Sequence, residues 1–246
     1  MSESNSEAKF LKNYNIHDFD VPLTTVDMAI FTLKDYVLQV LLVKRAQHPA
    51  LGKWALPGGF IDLKKDHCLM DTAKRKLREK TGVNTPYLEQ VASFGSSDRD
   101  PRGWSVTLAY FALLSWEEVT LSKDGSSDDI KWVAIDNVLN TINLAFDHDE
   151  ILLACIERLR NKVQYTSLPI NLLPEEFTLT EMQSTFELIL RKKVEKKSFR
   201  RRILDANIIE ETGNMKKGSN RPAKLYRAKS EAANHFFPRS IEGTRT

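Results

Sequence analysis

The chain of 246 residues, 41% hydrophobic and 28% charged, has the composition of an ordinary globular protein with room for two compact units, and no apolar run reaches the length of a membrane span. Its start, Met1-Ser2-Glu3, lacks the basic and apolar stretches of a signal peptide, so a cytoplasmic location is expected, and Cys68 and Cys155, far apart in sequence and with His67 as the single nearby Cys/His partner, are read as two free reduced thiols. The net charge of +3 hides an asymmetry: residues 177–229 carry 14 Lys+Arg against 6 Asp+Glu and the remainder 22 against 27, so one basic module is set to meet a polyanion.

Residues 1–20 are polar and irregular and read as a mobile arm. A hairpin follows, Thr24–Thr32 and Val37–Val43 around the turn Lys34-Asp35-Tyr36, both β-branched and alternating. Asp66–Lys80 has helical spacing, with Leu69, Ala73 and Leu77 in register, and stops at Gly82. Strands are predicted at Leu88–Phe94, Ser105–Leu114 and Ile130–Ile135. Asp147–Val163 is an amphipathic helix whose inner face carries Ile151, Leu152, Cys155, Ile156 and Leu159. These elements make 21–165 one mixed α/β domain.

A Pro-marked linker spans 166–176. Thr178–Arg191 reads as a helix capped by Thr178 or Thr180, and Ser198–Asn207 as a second helix with Phe199, Ile203 and Ala206 inward. Ile208–Thr212 and Ala223–Arg227 pair around the Gly- and Lys-rich turn 213–222. Helix, turn, helix, hairpin is the order of a winged helix-turn-helix, here over 177–229. Residues 230–246 lack periodicity and are expected to form a flexible tail, although Phe236-Phe237 offers something to dock.

The segment Trp54-Ala55-Leu56-Pro57-Gly58-Gly59-Phe60, followed by a helix ending Arg78-Glu79-Lys80-Thr81-Gly82, resembles the Nudix box. Its glycines let a backbone approach a diphosphate closely. In that family the helix reads Arg-Glu-x-x-Glu-Glu-x-Gly, and the spacing puts three carboxylates on one face to hold magnesium. Here Lys76 and Lys80 replace two of the three, and Glu79 remains. The loop is two residues longer, and the acidic residue expected near the helix start falls on His67. The resemblance therefore implies loss of the metal, and with it of hydrolysis: no catalytic residue, metal or cofactor is expected. Lys76 and Lys80 either bind the diphosphate in the metal's place or are solvated helix residues.

The densest basic run, Lys192–Arg202, opens the second helix of the basic module, where a recognition helix enters the major groove. Lys196, Lys197, Ser198, Arg200, Arg201 and Arg202 are its candidate DNA contacts. Lys216, Lys217, Arg221, Lys224 and Tyr226 occupy the wing, placed for phosphates or the minor groove. Together with Arg99-Asp100-Pro101-Arg102-Gly103-Trp104, Leu144-Ala145-Phe146-Asp147-His148 and Arg221-Pro222-Ala223-Lys224-Leu225-Tyr226, these motifs make the chain, from about Phe10 to Arg227, similar to the Nudix-related transcriptional regulators abbreviated NrtR. That resemblance implies a Nudix α/β/α sandwich with a mixed sheet followed by a winged helix-turn-helix. It also implies a homodimeric repressor of NAD-metabolism genes that leaves double-stranded operator DNA when ADP-ribose binds. Carried over by motif, Gly58, Gly59 and Phe60 line the diphosphate approach. Arg45 and Arg99 or Arg102 reach phosphate or ribose oxygens, and Phe146, Asp147 and His148 form a purine and ribose wall; His148 alternatively caps its helix. An active Nudix ADP-ribose pyrophosphatase with a nucleic-acid-binding appendage, or a regulator sensing another ligand such as a sugar, are the alternatives.

Overall fold

The computed structural model describes residues 3–84, 87–122, 127–217 and 222–241. β1 (Leu23–Lys34) and β2 (Val37–Arg45) form the expected hairpin, closed by Asp35 and Tyr36 at φ 50° and 58°, the left-handed pair whose twist matches the strands. β1 runs parallel to β6 (Ser105–Leu114), which pairs antiparallel with β5 (Tyr87–Ser96). β7 (Ser127–Ala134) and the short β3 (Trp54–Ala55) pair with β2. The result is a mixed sheet in the order β3-β2-β1-β6-β5.

One feature of this sheet positions the site. β1 changes partner along its length: Thr25–Asp27 pair with β4 (Gly58–Phe60), whereas Phe31–Lys34 pair with β2. A cleft opens where β2 and β4 part.

Alternation along the strands decides which helix each side chain meets. Ala29, Phe31, Phe111 and Leu113 pack toward α4 (His148–Val163) and its buried Ile151, Leu152, Cys155, Ile156 and Leu159. Met28, Ile30, Tyr110 and Ala112 pack on the other face, against Ala73 and Leu77 of α2 (Leu69–Thr81). Burial pushes the Cys155 thiol up to about 12, which makes it an inert core group.

The helix boundaries have local causes. α2 starts at Leu69 rather than Asp66 because Asp66 is spent on the preceding loop, its carboxylate accepting from Asp62 N, Thr72 Oγ1 and Arg75. Thr178 and Glu181 form a capping box for α5 (Leu179–Leu190). α6 (Lys196–Asp205) starts two residues before Ser198 because the Glu195 carboxylate accepts from Lys197 N and Ser198 N at 2.9 and 2.6 Å. Phe186 and Phe199 meet edge to face at 5.1 Å between the two helices. β8 (Ile209–Lys216) and β9 (Ala223–Ala228) form the wing, and Phe177 bridges to Tyr226 as a third line of pairing.

Three expectations change. The arm is not irregular: Glu3–Asn13 form α1, ahead of a 3-10 turn at Ile16–Asp18, and the rings of Phe10, Tyr14 and Phe19 follow one another at 5.5 and 5.6 Å. The linker is among the most buried parts of the chain, with Leu168, Ile170, Leu172 and Leu173 joining both halves into one apolar cluster. The described part of the tail is docked, not loose: Ala232 and Phe237 are buried, and Phe237 N donates to Tyr165 O at 2.8 Å. Its apolar anchors and backbone hydrogen bonds leave no periodic trace in sequence. The sequence pattern also missed α3 (Ile135–Thr141), a helix of two turns that begins where the seventh strand ends.

Candidate functional site

The cleft between β2 and β4 has a volume of about 820 Å³ and is lined by Arg45, Gly58, Gly59, Phe60, Lys76, Lys80, Arg99, Arg102, Phe146 and His148, ten of the eleven residues expected there. Asp147 is the exception and lines a neighbouring cavity of about 570 Å³.

The two glycines are required for different reasons. A Cβ at Gly58 would stand 2.0 Å from Asp27 Oδ1 and 2.5 Å from Val26 O, so the β1–β4 pairing demands glycine whether or not a ligand is present. Gly59, at φ 146°, turns the chain past Lys76, whose Cε lies 3.1 Å from where a Cβ would be.

Two arginine–aromatic pairs stand on the walls. The Arg45 guanidinium lies 4.8 Å from the Phe146 ring centre and donates to Pro49 O at 2.8 Å; burial and the nearby Arg102 charge hold its pKa below the ordinary value. Arg102 lies 5.2 Å from the Phe60 ring and is anchored by Asp100 at 2.7 Å, which in turn holds the Asp100 carboxyl below its usual range. Phe146 is held at φ 58°, an uncommon conformation for an aromatic residue that keeps its ring on the cleft wall.

The floor is a buried network. Arg99 forks onto Asp147, both contacts at 2.8 Å, and approaches Asp27 at 3.7 Å. The Asp147 carboxylate is therefore forked by a guanidinium and opens on the neighbouring cavity rather than on the cleft. His148 is fully buried, and its Nδ1 accepts the Leu56 N–H at 2.9 Å. Desolvation lowers its pKa, so the ring is neutral and ties the Leu56-Pro57-Gly58 backbone to α4. Its side chain does not cap the helix, and only its edge reaches the cleft.

On α2, Glu79 is gripped by Arg75 at 3.2 Å and Lys76 at 3.1 Å, while Lys80 is buried at the cleft edge. The sequence did not single out Arg75, Asp66 or Asp27. Arg75 lines the cleft and holds the Asp66 carboxyl well below the usual carboxylate range. Asp27 was detectable in principle, since a carboxylate between Val26 and Met28 in a buried apolar strand needs a reason to be there.

The second set of residues lies on α6 and the wing. Lys196, Lys197, Ser198 and Arg201 are exposed. Arg200 is half-buried, 3.4 Å from Thr180 Oγ1. Arg202 points the other way, into the protein: its guanidinium lies 4.0 Å from the Phe237 ring and donates to the carbonyls of Arg239 and Gln164. Burial depresses its pKa. In the wing, Lys216 pairs with Glu181 at 2.5 Å and Lys224 with both oxygens of Glu211 at 2.9 Å, while Lys217 is exposed. Tyr226 is buried in the β-pairing with Phe177, so it is a core residue of the wing rather than a surface contact. Arg221 lies outside the described residues.

Residues 23–155 match the NUDIX domain model and residues 169–228 the model for the NrtR DNA-binding winged helix domain. The chain is 48% identical over 237 residues, 96% of its own length and 94% of the relative's, to the ADPR responsive transcriptional repressor NtrR of Acinetobacter baylyi. It superposes on Shewanella oneidensis NrtR complexed with a 27mer DNA with a TM-score of 0.82 at 43% identity, covering 88% of this chain and 98% of that one. The NUDIX domain of Shewanella oneidensis NrtR complexed with ADP ribose gives a TM-score of 0.58 at 46% identity, covering 65% of this chain and 99% of the domain.

Proposed function

The chain belongs to the NrtR family of Nudix-domain transcriptional regulators, and from that membership we propose that it is an ADP-ribose-responsive repressor: α6 and the wing hold operator DNA, and the β2–β4 cleft takes the effector. The observation that carries this reading is the conjunction, in one chain, of a cleft of about 820 Å³ bordered by cations and an exposed basic helix.

In the cleft, the Gly58-Gly59 backbone and Lys76 face the diphosphate. The Arg45–Phe146 and Arg102–Phe60 pairs offer stacking and charge to the two ends of the nucleotide sugar. Arg99, Asp147 and His148 hold these walls in place from behind.

The Nudix fold implies a divalent cation held by carboxylates of α2, and the residues present do not fit one. A hard cation needs several oxygen ligands. The cleft side of this helix carries Arg75, Lys76 and Lys80, and its Glu79 is already shared between two of these cations. No hydrolytic step is therefore assigned, and the cleft holds its ligand without cutting it.

On DNA, Lys196, Lys197 and Arg201 of α6, with Lys217 of the wing, meet the backbone and base edges. The chain acts as a homodimer on promoters of NAD-metabolism genes, and ADP-ribose favours the arrangement that cannot bind DNA. By reciprocity operator DNA weakens ADP-ribose binding by the same factor. Two measurements on one preparation test the reading: calorimetric titration with ADP-ribose, and assay for AMP with magnesium present. Heat without AMP is the expected result, whereas magnesium-dependent AMP release at enzymatic rates makes the chain a hydrolase.

A further inference from the structure

We infer that the C-terminal segment Ala232–Ile241 is a strap that couples the effector cleft to the recognition helix, and that Arg202 is its attachment point on α6, a positioning residue rather than a DNA contact. The inference rests on the repressor reading above and adds to it the route by which one site reaches the other.

The strap touches three parts of the molecule. At the C-terminal end of α4, Phe237 N donates to Tyr165 O at 2.8 Å and Ile241 N to Gln164 O at 2.7 Å, while Thr166 bridges to Phe236. At the buried linker, Ser167 N donates to His235 O at 3.2 Å and Ser167 Oγ to Ala232 O. On α6, Arg202 donates to Arg239 O and lies 4.0 Å from the Phe237 ring. A half-buried guanidinium turned toward the protein ordinarily faces a carboxylate. Arg202 instead faces carbonyl oxygens of the strap and of the α4 end, together with an aromatic ring. Those contacts tie α6, already packed on α5 through Phe199, to the strap and to the end of α4.

The other end of α4 belongs to the cleft. Asp147, its N-cap, is forked by Arg99, and His148 in its first turn binds Leu56 N just ahead of Gly58-Gly59. Sixteen residues of α-helix make a rod of about 24 Å between these ends. A ligand that engages Arg99 or moves the Gly-Gly strand acts on one end of the rod, and the strap carries the other end's position to Arg202.

A fluorescence anisotropy titration of an operator duplex at several salt concentrations, with and without ADP-ribose, separates the roles. The full-length wild type is compared with Arg201→Gln, Arg202→Gln and Phe237→Leu, the last keeping bulk so that the fold is preserved. Arg201→Gln is expected to reduce the slope of log K against log salt by about 0.9, the signature of one lost phosphate contact. Arg202→Gln and Phe237→Leu are expected to leave that slope unchanged. Both lower the factor by which ADP-ribose weakens operator binding, from the 5- to 150-fold typical of such coupling to about twofold or less. A slope reduced by Arg202→Gln as much as by Arg201→Gln makes Arg202 a DNA contact and overturns the inference. So does an undiminished ADP-ribose factor in both strap variants. A wild type that binds the duplex with no response to ADP-ribose instead overturns the repressor reading itself.

Discussion

Around the cleft, Arg75, Arg99 and Arg102 each fork onto an aspartate, Asp66, Asp147 and Asp100, whereas Lys196, Lys197 and Arg201 on α6 are exposed and make no ion pair among the described residues. The difference shows how one residue class serves two recognition problems. A small ligand needs walls already in position, so these three arginines are fixed by neighbouring carboxylates. DNA binding draws on counterion release from many phosphates, and side chains left in solvent can follow them. The wing stands between these cases, with Lys216 and Lys224 paired at the surface and Lys217 exposed without an ion pair among the described residues.

The comparison breaks if the cleft cations prove dispensable. Asp147→Ala leaves Arg99 buried without its fork. It is expected to lower stability by about 3 kcal/mol in urea unfolding and to abolish the calorimetric response to ADP-ribose. Next in size, Lys197→Ala combined with Arg201→Ala is expected to weaken operator binding by about 2 kcal/mol, roughly 30-fold, with ADP-ribose affinity unchanged. Equal losses at both ligands would mean that the two regions are not separable.

His148 supplies a pH test. The folded ring is held neutral below its ordinary pKa, while the unfolded chain takes up a proton near pH 6.5. Between these values the unfolded state binds more protons, so stability is full above about pH 6.5 and falls as the pH drops. His148→Leu should cost about 1–2 kcal/mol at pH 7.5, through the unsatisfied Leu56 N–H, and flatten the decline between pH 7.5 and 5.5. An unaltered slope assigns the decline to other groups. The smallest effect is expected from Glu211→Gln: freeing Lys224 gives a slight gain in operator affinity and leaves the melting temperature unchanged.

Periodicity made much of this legible. The alternation of β1 and the inner face of α4 follow from spacing alone, and the Thr178–Glu181 spacing is that of a capping box. The Gly58-Gly59 pair marked the cleft, although the clash that requires Gly58 involves Asp27, thirty-one positions earlier in the chain. Partners at long range leave no such trace. Asp147 and His148 stand out in the sequence as residues of the site, yet their bonds to Arg99 and Leu56, which brace the cleft, do not. Arg202 was hidden in a basic run, although its spacing from Phe199 already placed it on the inward side of α6.

The most direct test of the central claim is the affinity of the full-length protein for promoter fragments of NAD-metabolism genes from its own genome, measured with and without saturating ADP-ribose and with magnesium present throughout. The account predicts tight binding that ADP-ribose releases while remaining intact. Binding indifferent to ADP-ribose, or a release that lapses as ADP-ribose is converted to AMP, would contradict it.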